Sequence, residues 1–393
     1  MKAARPGWCH TQSLMAYLTN EKHVAFRGEP LRIAVIGAGV AGAACAAGLL
    51  RAGFDVTVFD KSRGVGGRMA TRRAQWADLD GTVRTVEFDH GCPHFTASRP
   101  RFQAVVHRAE ALGFVAHWQQ HRYATFPSPK VHEEVLPTPN MPAFCRHLLH
   151  GVPLRLGEAV TALQRGASGW LLHLADDATD GRKEGRTEGP FEQVVLAIPA
   201  AQAAVLLRGH QNDWADALAA VRFSPSWTLM AVTDELDWPW DAAEVERGEL
   251  AWIARGDRVP GRRAASGSVP WVAHATPAWS LAHLEDDPAH VTETLSAALD
   301  RLLTGGAQPH WHHTRVHRWR YAQITHPVAD GSDCWWNAGL GLGVCGDAFG
   351  EGSVEAAWCS GDELADAVAA SFDAAADSAQ KRESQPGMAD PVH

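Results

Sequence analysis

The chain has 393 residues, 46% of them apolar, enough to bury a large core, and its length suits two intertwined domains better than one compact unit. A formal charge of −9 without any dense Lys/Arg run argues against nucleic acid or an anionic membrane as the main partner. Seven scattered cysteines with no C-x-x-C pair read as reduced thiols of a cytosolic protein, and no apolar run reaches the roughly 20 residues that span a bilayer.

In chain order, residues 1–30 lack the continuous apolar stretch of a signal peptide and are expected to be a flexible extension. The β-branched run from Ile33 to Ile36, the turn Gly37-Ala38-Gly39-Val40-Ala41-Gly42 and an Ala-rich stretch to Arg51 predict strand, tight turn and helix. Gly53 ends that helix, and residues 55–60 return as a strand, which completes a βαβ unit. Residues 100–113 predict a surface helix. Five prolines between Pro127 and Pro142 predict turns, followed by a helix over 143–149. Strands are expected over 154–163, 170–174 and 191–198, with a hairpin tip at 176–189, as a small antiparallel sheet attached to the first unit. Residues 220–330 mix strand-like runs (227–233, 250–254, 271–275) with a helix over 288–303, and hold a second domain. A last strand at 342–345 and a helix over 354–370 precede a polar tail, from Asp373, expected to be disordered.

Three stretches carry chemistry. Gly37, Gly39 and Gly42 between a strand and a helix let a backbone approach a pyrophosphate at the helix N-terminus, and Asp60, 23 residues after Gly37, is placed to accept ribose hydroxyls. Gly66-Gly67-Arg68, directly after the acidic strand end and Lys61, is similar to the second signature of FAD-dependent amine-oxidase-type flavoproteins, where the glycines lie against the diphosphate. Gly346-Asp347 and the turn to a new helix, with Gly352 and Val354, resemble the segment closing the FAD site. The resemblance implies that the positive helix end there would face the flavin edge that gains charge on reduction.

A narrower resemblance follows from Gly66 to Arg73, Phe88-Asp89-His90-Gly91-Cys92-Pro93-His94-Phe95-Thr96, Trp252-Ile253-Ala254-Arg255, Trp271 to Ala275 with Trp279-Ser280, and His317 to Ala322. Together these resemble the bacterial renalases of the FAD-dependent amine-oxidase superfamily, over about residues 31 to 370. The resemblance implies an α/β fold: a Rossmann-like FAD-binding domain of the amine-oxidase/p-hydroxybenzoate-hydroxylase type (31–98, 150–200, 335–371) and a second α+β substrate domain with a mixed or antiparallel sheet (99–149, 201–334). It implies non-covalent FAD and oxidation of 2- or 6-dihydro-NAD(P) to NAD(P)+ by hydride transfer to flavin N5, with oxygen reduced to hydrogen peroxide. Ala41, Arg68, Pro93 and His94 fall on positions that touch FAD in the family, and Val160 joins the cofactor set. Gly91-Cys92-Pro93-His94 departs from the family's usual Gly-Ala-Gln-Tyr, which bears on specificity if the side chains reach the substrate.

Oxidation of a dihydropyridine needs positioning rather than a strong base, in keeping with the lack of a Ser-His-Asp set or close carboxylate pair. His310, His312 and His313 lie in a Trp-containing strand-like stretch and are read as structural, with no metal site. Sixteen tryptophans, most of them from Trp214 onward, suggest flat apolar walls or simply core filling. Trp227, His274, Trp319 and Tyr321 are the substrate-wall candidates, with Arg318 or Arg320 available to a phosphate. An amine oxidase or desaturase shares the same FAD motifs, and a flavin-binding scaffold without turnover is the reading from another class.

Overall fold

The computed structural model describes residues 29–77, 81–124, 134–175, 185–265, 267–304 and 309–383. Its elements begin with β1 (Arg32–Ile36), α1 (Val40–Arg51) and β2 (Asp55–Asp60), followed by a hairpin of β3 (Thr71–Ala77) and β4 (Val83–Asp89). Next come α2 (Pro100–Ala111), β5 (Val115–His117), β6 (Arg122–Ala124), β7 (Val135–Pro137) and α3 (Ala143–Leu148). Strands β8 (Leu154–Leu156), β9 (Val160–Gly166), β10 (Gly169–Leu174), β11 (Thr187–Phe191) and β12 (Gln193–Leu196) lead to α4 (Ala200–Leu207) and α5 (Asn212–Ala220). The second half holds β13 (Arg222–Asp234), β14 (Ala242–Glu244), β15 (Leu250–Arg255), β16 (Ser268–Ala275), α6 (Pro277–Ala282), α7 (Pro288–Thr304) and β17 (Trp311–His326). It ends with β18 (Trp335–Asn337), β19 (Leu342–Val344) and α8 (Val354–Glu383).

One sheet runs β18-β19-β12-β1-β2-β8, parallel except for its edge strand β18. β1 is apolar and buried at four consecutive positions, as expected for a strand covered on both faces. Helices α1 and α8 lie against each other closely enough that a Cβ on Gly361 would meet the Ala41 carbonyl oxygen at 2.1 Å. The other large sheet runs β17-β13-β16-β15-β14-β6, antiparallel but for the β14–β6 pair, so it is a mixed sheet. The fold class is α/β with a Rossmann-like domain, as the sequence predicts.

Several predicted elements are redrawn. The strand expected over 154–163 is two strands, because Gly157 turns the chain at φ +77° and passes it from the parallel sheet to the three-stranded β11-β10-β9 sheet. Residues 193–196, expected in that small sheet, form β12 between β1 and β19 of the parallel sheet. Helices α2 and α3 fall in the span assigned to the substrate domain. They pack instead in the dinucleotide domain's core, where Phe102 meets Trp358 at 5.4 Å and Phe144 at 6.3 Å between ring centroids. The helix expected to end at 370 continues to Glu383 through residues read as a disordered tail. The run from Phe372 to Glu383 is mostly Ala, Gln, Lys, Arg, Asp and Glu without Gly or Pro, and Phe372 anchors it on Phe54, ring centroids 5.5 Å apart. Residues 384–393, almost all of the expected N-terminal extension, and 176–184 of the expected hairpin tip lie outside the described residues.

Candidate active site

A cavity of about 1390 Å³ runs from the glycine turn after β1 to the face of the mixed sheet. At its first end the chain builds a cradle largely out of backbone. Gly37 holds φ +113°, and a Cβ there would meet the Ala197 carbonyl oxygen at 2.3 Å. A Cβ on Gly42 would lie 1.9 Å from the Gly37 carbonyl oxygen, so the turn closes on itself only with glycine. Gly39, by contrast, faces open space and lines the cavity. The second loop docks on the first: Gly66 N–H donates to the Ala38 carbonyl at 2.9 Å, and a Cβ on Gly67 would touch the Gly39 Cα at 3.3 Å.

Asp60 stitches these loops together, one carboxylate oxygen accepting from Ala38 N–H and the other from Ser62 N–H, both at 2.7 Å. Lys61 lines the same end and reaches Gln202 at 3.4 Å. Arg68, expected to contact an anion, lines the cavity and is also held by the third stretch: it donates to Asp347 at 2.6 Å and to the Tyr321 and Ala322 carbonyls. Opposite charge and the local chain crossing explain this, since the short loop at residues 345–353 passes directly beside the arginine. Asp347 is buried, and its second oxygen has no hydrogen-bond partner. Gly346 N–H donates to Ser360, while Ser353 caps α8 by accepting from Ala356 N–H at 3.0 Å. Gly352 and Val354 therefore border the cavity at a helix N-terminus, with Ala41 and Val160 on the cavity's other sides.

The far end is a wall of side chains on the mixed sheet. Strand alternation turns His317, Trp319 and Tyr321 of β17 toward the cavity, next to His274 of β16 and Trp252 of β15. Trp319 donates its indole N–H to the His90 carbonyl at 2.8 Å, and His90 lies between His317 and Trp319 with ring centroids at 4.9 and 5.2 Å. His94 stacks on Trp252 at 5.3 Å, so the side chain at the departure from the family motif forms part of the wall. Pro93 lines it too, while the Cys92 thiol donates to the His94 carbonyl and burial raises its pKa to about 12.

Two predicted residues, Trp227 and Arg318, lie away from the cavity, and Arg320 lines it but is ion-paired. Trp227 is buried on the opposite face of the sheet, its indole N–H bound to the His283 carbonyl at 2.9 Å. Its neighbours Ser226 and Thr228 are the ones turned toward the site. Arg318 projects to that far side as well and donates to the Leu284 carbonyl and Glu285. Arg320, at the rim, is spent on both Glu285 oxygens. Not singled out from the sequence were Trp252 and His317, which line the cavity, and the buried His90 and Thr228, which back them. A period-2 count outward from Trp319 finds His317, and the strand register then gives Thr228, which pairs with both His317 and His274.

The wall's imidazoles are neutral. Burial lowers the pKa of His90 to about 3, helped by His317, and that of His94 to about 4, helped by Arg122 and His274. His94 Nδ1 lies 3.1 Å from Glu134 without hydrogen-bond geometry, so this contact is not an ion pair at neutral pH. His274 is likewise lowered to about 4 by burial. Its Nδ1 meets Thr228 Oγ1 at 3.1 Å, and its buried Nε2 has no partner. Behind His94, Arg122 bridges Glu134 and Glu244 and stacks over Trp252 at 4.9 Å, which fixes the indole plane. Away from the cavity, His310 and His312 converge on Asp234. The His312 contact is 2.7 Å long, and one ligand-type atom from each of the three lies within 4.8 Å of the others.

Residues 35–109 match the NAD(P)-binding Rossmann-like domain family. Among solved structures, the chain is similar to one from Exiguobacterium sp. 255-15 assigned as a protoporphyrinogen oxidase, at 11% identity and TM-score 0.62, covering 87% of this chain and 99% of that one. It is also similar to putrescine oxidase: a double mutant matches at 14% identity and TM-score 0.61 over 87% and 100% of the two chains. The wild type bound to putrescine matches at 14% and TM-score 0.60 over 87% and 99%. The fold is shared with these oxidases. No helix among the described residues is long and apolar enough to cross a membrane, and all six described cysteines are free.

Proposed function

We propose that the protein is a cytosolic FAD-dependent oxidase that converts 2- or 6-dihydro-NAD(P) to NAD(P)+, reducing oxygen to hydrogen peroxide with uptake of one proton. The cradle fits the cofactor. Gly39 is open toward the cavity, two glycine loops dock on each other, and Asp347 leaves a buried oxygen without a partner beside a helix N-terminus. Gly37, Gly39, Ala41, Gly42, Gly66 and Gly67 would take the diphosphate, Asp60 and Lys61 the adenosine side, and Asp347, Gly352 and Val354 the ribityl and flavin side, flanked by Pro93, His94 and Val160. Arg68 acts here by holding Asp347. When bound, FAD supplies the two-electron acceptor chemistry and its return of electrons to oxygen.

The observation that carries the substrate assignment is the unpartnered Nε2 of a neutral His274 inside an aromatic wall. A carboxamide offers both a donor and an acceptor, so either tautomer of His274 finds a partner on a nicotinamide, while Trp252 and Trp319 supply flat faces for the ring. The histidines of this wall, with pKa values lowered by burial, are poor proton acceptors at pH 7. That suits a donor that aromatises on losing hydride and sheds no proton there. The fold shared with putrescine oxidase favours a second reading, an amine oxidase.

Anaerobic mixing of the FAD-loaded enzyme with 2-, 4- and 6-dihydro-NAD and with putrescine, followed at the flavin band, separates the two. Rapid bleaching by a 2- or 6-isomer and not by putrescine is expected. Bleaching by putrescine alone would overturn the assignment.

A further inference from the structure

Past His317, the sheet face that forms the wall continues to a pair of arginines that no carboxylate answers among the described residues. On β17, His313, Arg315 and His317 alternate onto one face, opposite Val232, Met230 and Thr228 of β13. Met230 and Val232 pack beneath the β3–β4 hairpin with Trp76, Val86 and Phe88, so this is the face that the hairpin covers. Phe88 stacks on His313 with ring centroids 6.0 Å apart, and Arg72 stands directly across from Phe88 in the hairpin. Opposed residues of an antiparallel pair project to the same side, which brings Arg72 down toward Arg315 and His317.

Among the described residues neither arginine makes a hydrogen bond or ion pair. The described acids of the hairpin are engaged elsewhere: Asp89 with Arg262 and Thr71, Glu87 with Arg73 and Asn140. His313 adds a buried Nε2 with no partner. The electrostatics agree, since burial and then Arg315 lower the pKa of Arg72, and burial and then the two arginines lower those of His313 and His317. A half-buried Arg72 and an exposed Arg315, beside a neutral imidazole with an unpartnered Nε2, are a donor set suited to an anion.

We infer that Arg72, Arg315 and His313 Nε2 form a subsite for the phosphates of the substrate, next along the sheet face from His317, which lines the cavity. This deepens the dihydronicotinamide reading and rests on it. Four residues of β17, about 14 Å of strand, separate Trp319 from Arg315, and long arginine side chains shorten that gap toward a diphosphate one ribose away from a ring held at Trp319. The same pair repels an aliphatic diamine.

Calorimetric titration of the FAD-loaded enzyme with inorganic pyrophosphate tests the subsite without turnover. The wild type should bind, R72Q and R315Q should each weaken binding about tenfold or more, and R318Q, on the opposite face, should match the wild type. In anaerobic flavin reduction, the two variants should raise the half-saturating concentration of the dihydronicotinamide dinucleotide about tenfold and leave that of the phosphate-free riboside unchanged. Absence of pyrophosphate binding by the wild type at millimolar concentration, or variants within twofold of it, overturns the subsite. Bleaching by putrescine alone sinks the substrate reading, and the pyrophosphate titration then still decides for or against the anion site by itself.

Discussion

The two ends of the cavity are built by different means. The cradle is built largely of backbone: the stretches near residues 37 and 66 meet through a main-chain hydrogen bond, close glycine contacts and the Asp60 carboxylate, and the stretch near 346 joins them through the Arg68–Asp347 pair. The wall is made of side chains carried on several strands and loops, and which of them face the cavity depends on strand register. A backbone site tolerates almost no change at its few fixed positions, whereas a side-chain site can change its chemistry without moving a strand. One end can therefore keep its cofactor while the other takes on new substrates.

The sharpest way to break the comparison is at the cradle. Gly42→Ala puts a Cβ 1.9 Å from the Gly37 carbonyl oxygen, and neither atom can move without pulling β1 or α1. The expected cost is about 3 kcal/mol of stability, and the purified protein should carry less than roughly a tenth of the wild-type flavin. Flavin absorbance per polypeptide, with a thermal melt, checks this. Wild-type flavin content in the variant would mean that the turn does not hold the diphosphate.

A second effect, confined to the wall, comes from pH. His90, His94 and His274 have folded pKa values of about 3, 4 and 4, below the usual 6.5. From pH 6.5 downward the unfolded chain binds protons at these positions and the folded chain does not, so stability is present above 6.5 and is lost as pH falls toward 3–4. The limiting slope is about 1.4 kcal/mol per pH unit for each histidine. Denaturant midpoints should fall between pH 6.5 and 4.5, and replacing His90 and His94 by Asn should flatten that slope. An unchanged slope in the double variant would show that these imidazoles are not buried neutral.

Legibility in the sequence followed the same division. The glycine turns, Asp60 and the Gly346-Asp347 strand end were readable because local spacing alone fixes their backbone, and the α/β class with a Rossmann-like unit follows from them. What escaped was whatever depended on partners far along the chain. That Arg68, a cavity residue, is also bound to Asp347, 279 residues away, could not be read from either stretch alone. The β3–β4 hairpin showed as motif residues without a strand pattern, since its covered face alternates Arg72, Ala74 and Trp76, with an arginine where a core strand has a hydrophobe. Trp227 and Trp319 both sat in strand-like runs, and only the register of β13 against β17 assigns them to opposite faces.

That pair gives the finest test. Trp227 lies in the core under α7, its N–H bound to the His283 carbonyl and its ring beneath Arg318 at 5.4 Å. Trp227→Phe removes the hydrogen bond and part of the ring, which should cost about 1–2 kcal/mol of stability and leave the anaerobic rate of flavin reduction unchanged. Trp319→Phe loses an equivalent bond, to His90, but at the cavity surface, where its indole also meets the His317 ring edge-on at 4.4 Å. It should slow flavin reduction several-fold while lowering the melting temperature no more than the first variant does. Both proteins fold around the same sheet, so a rate loss in Trp227→Phe with none in Trp319→Phe would reverse the faces assigned to β13 and β17. The substrate wall would then have to be sought on the other side of that sheet.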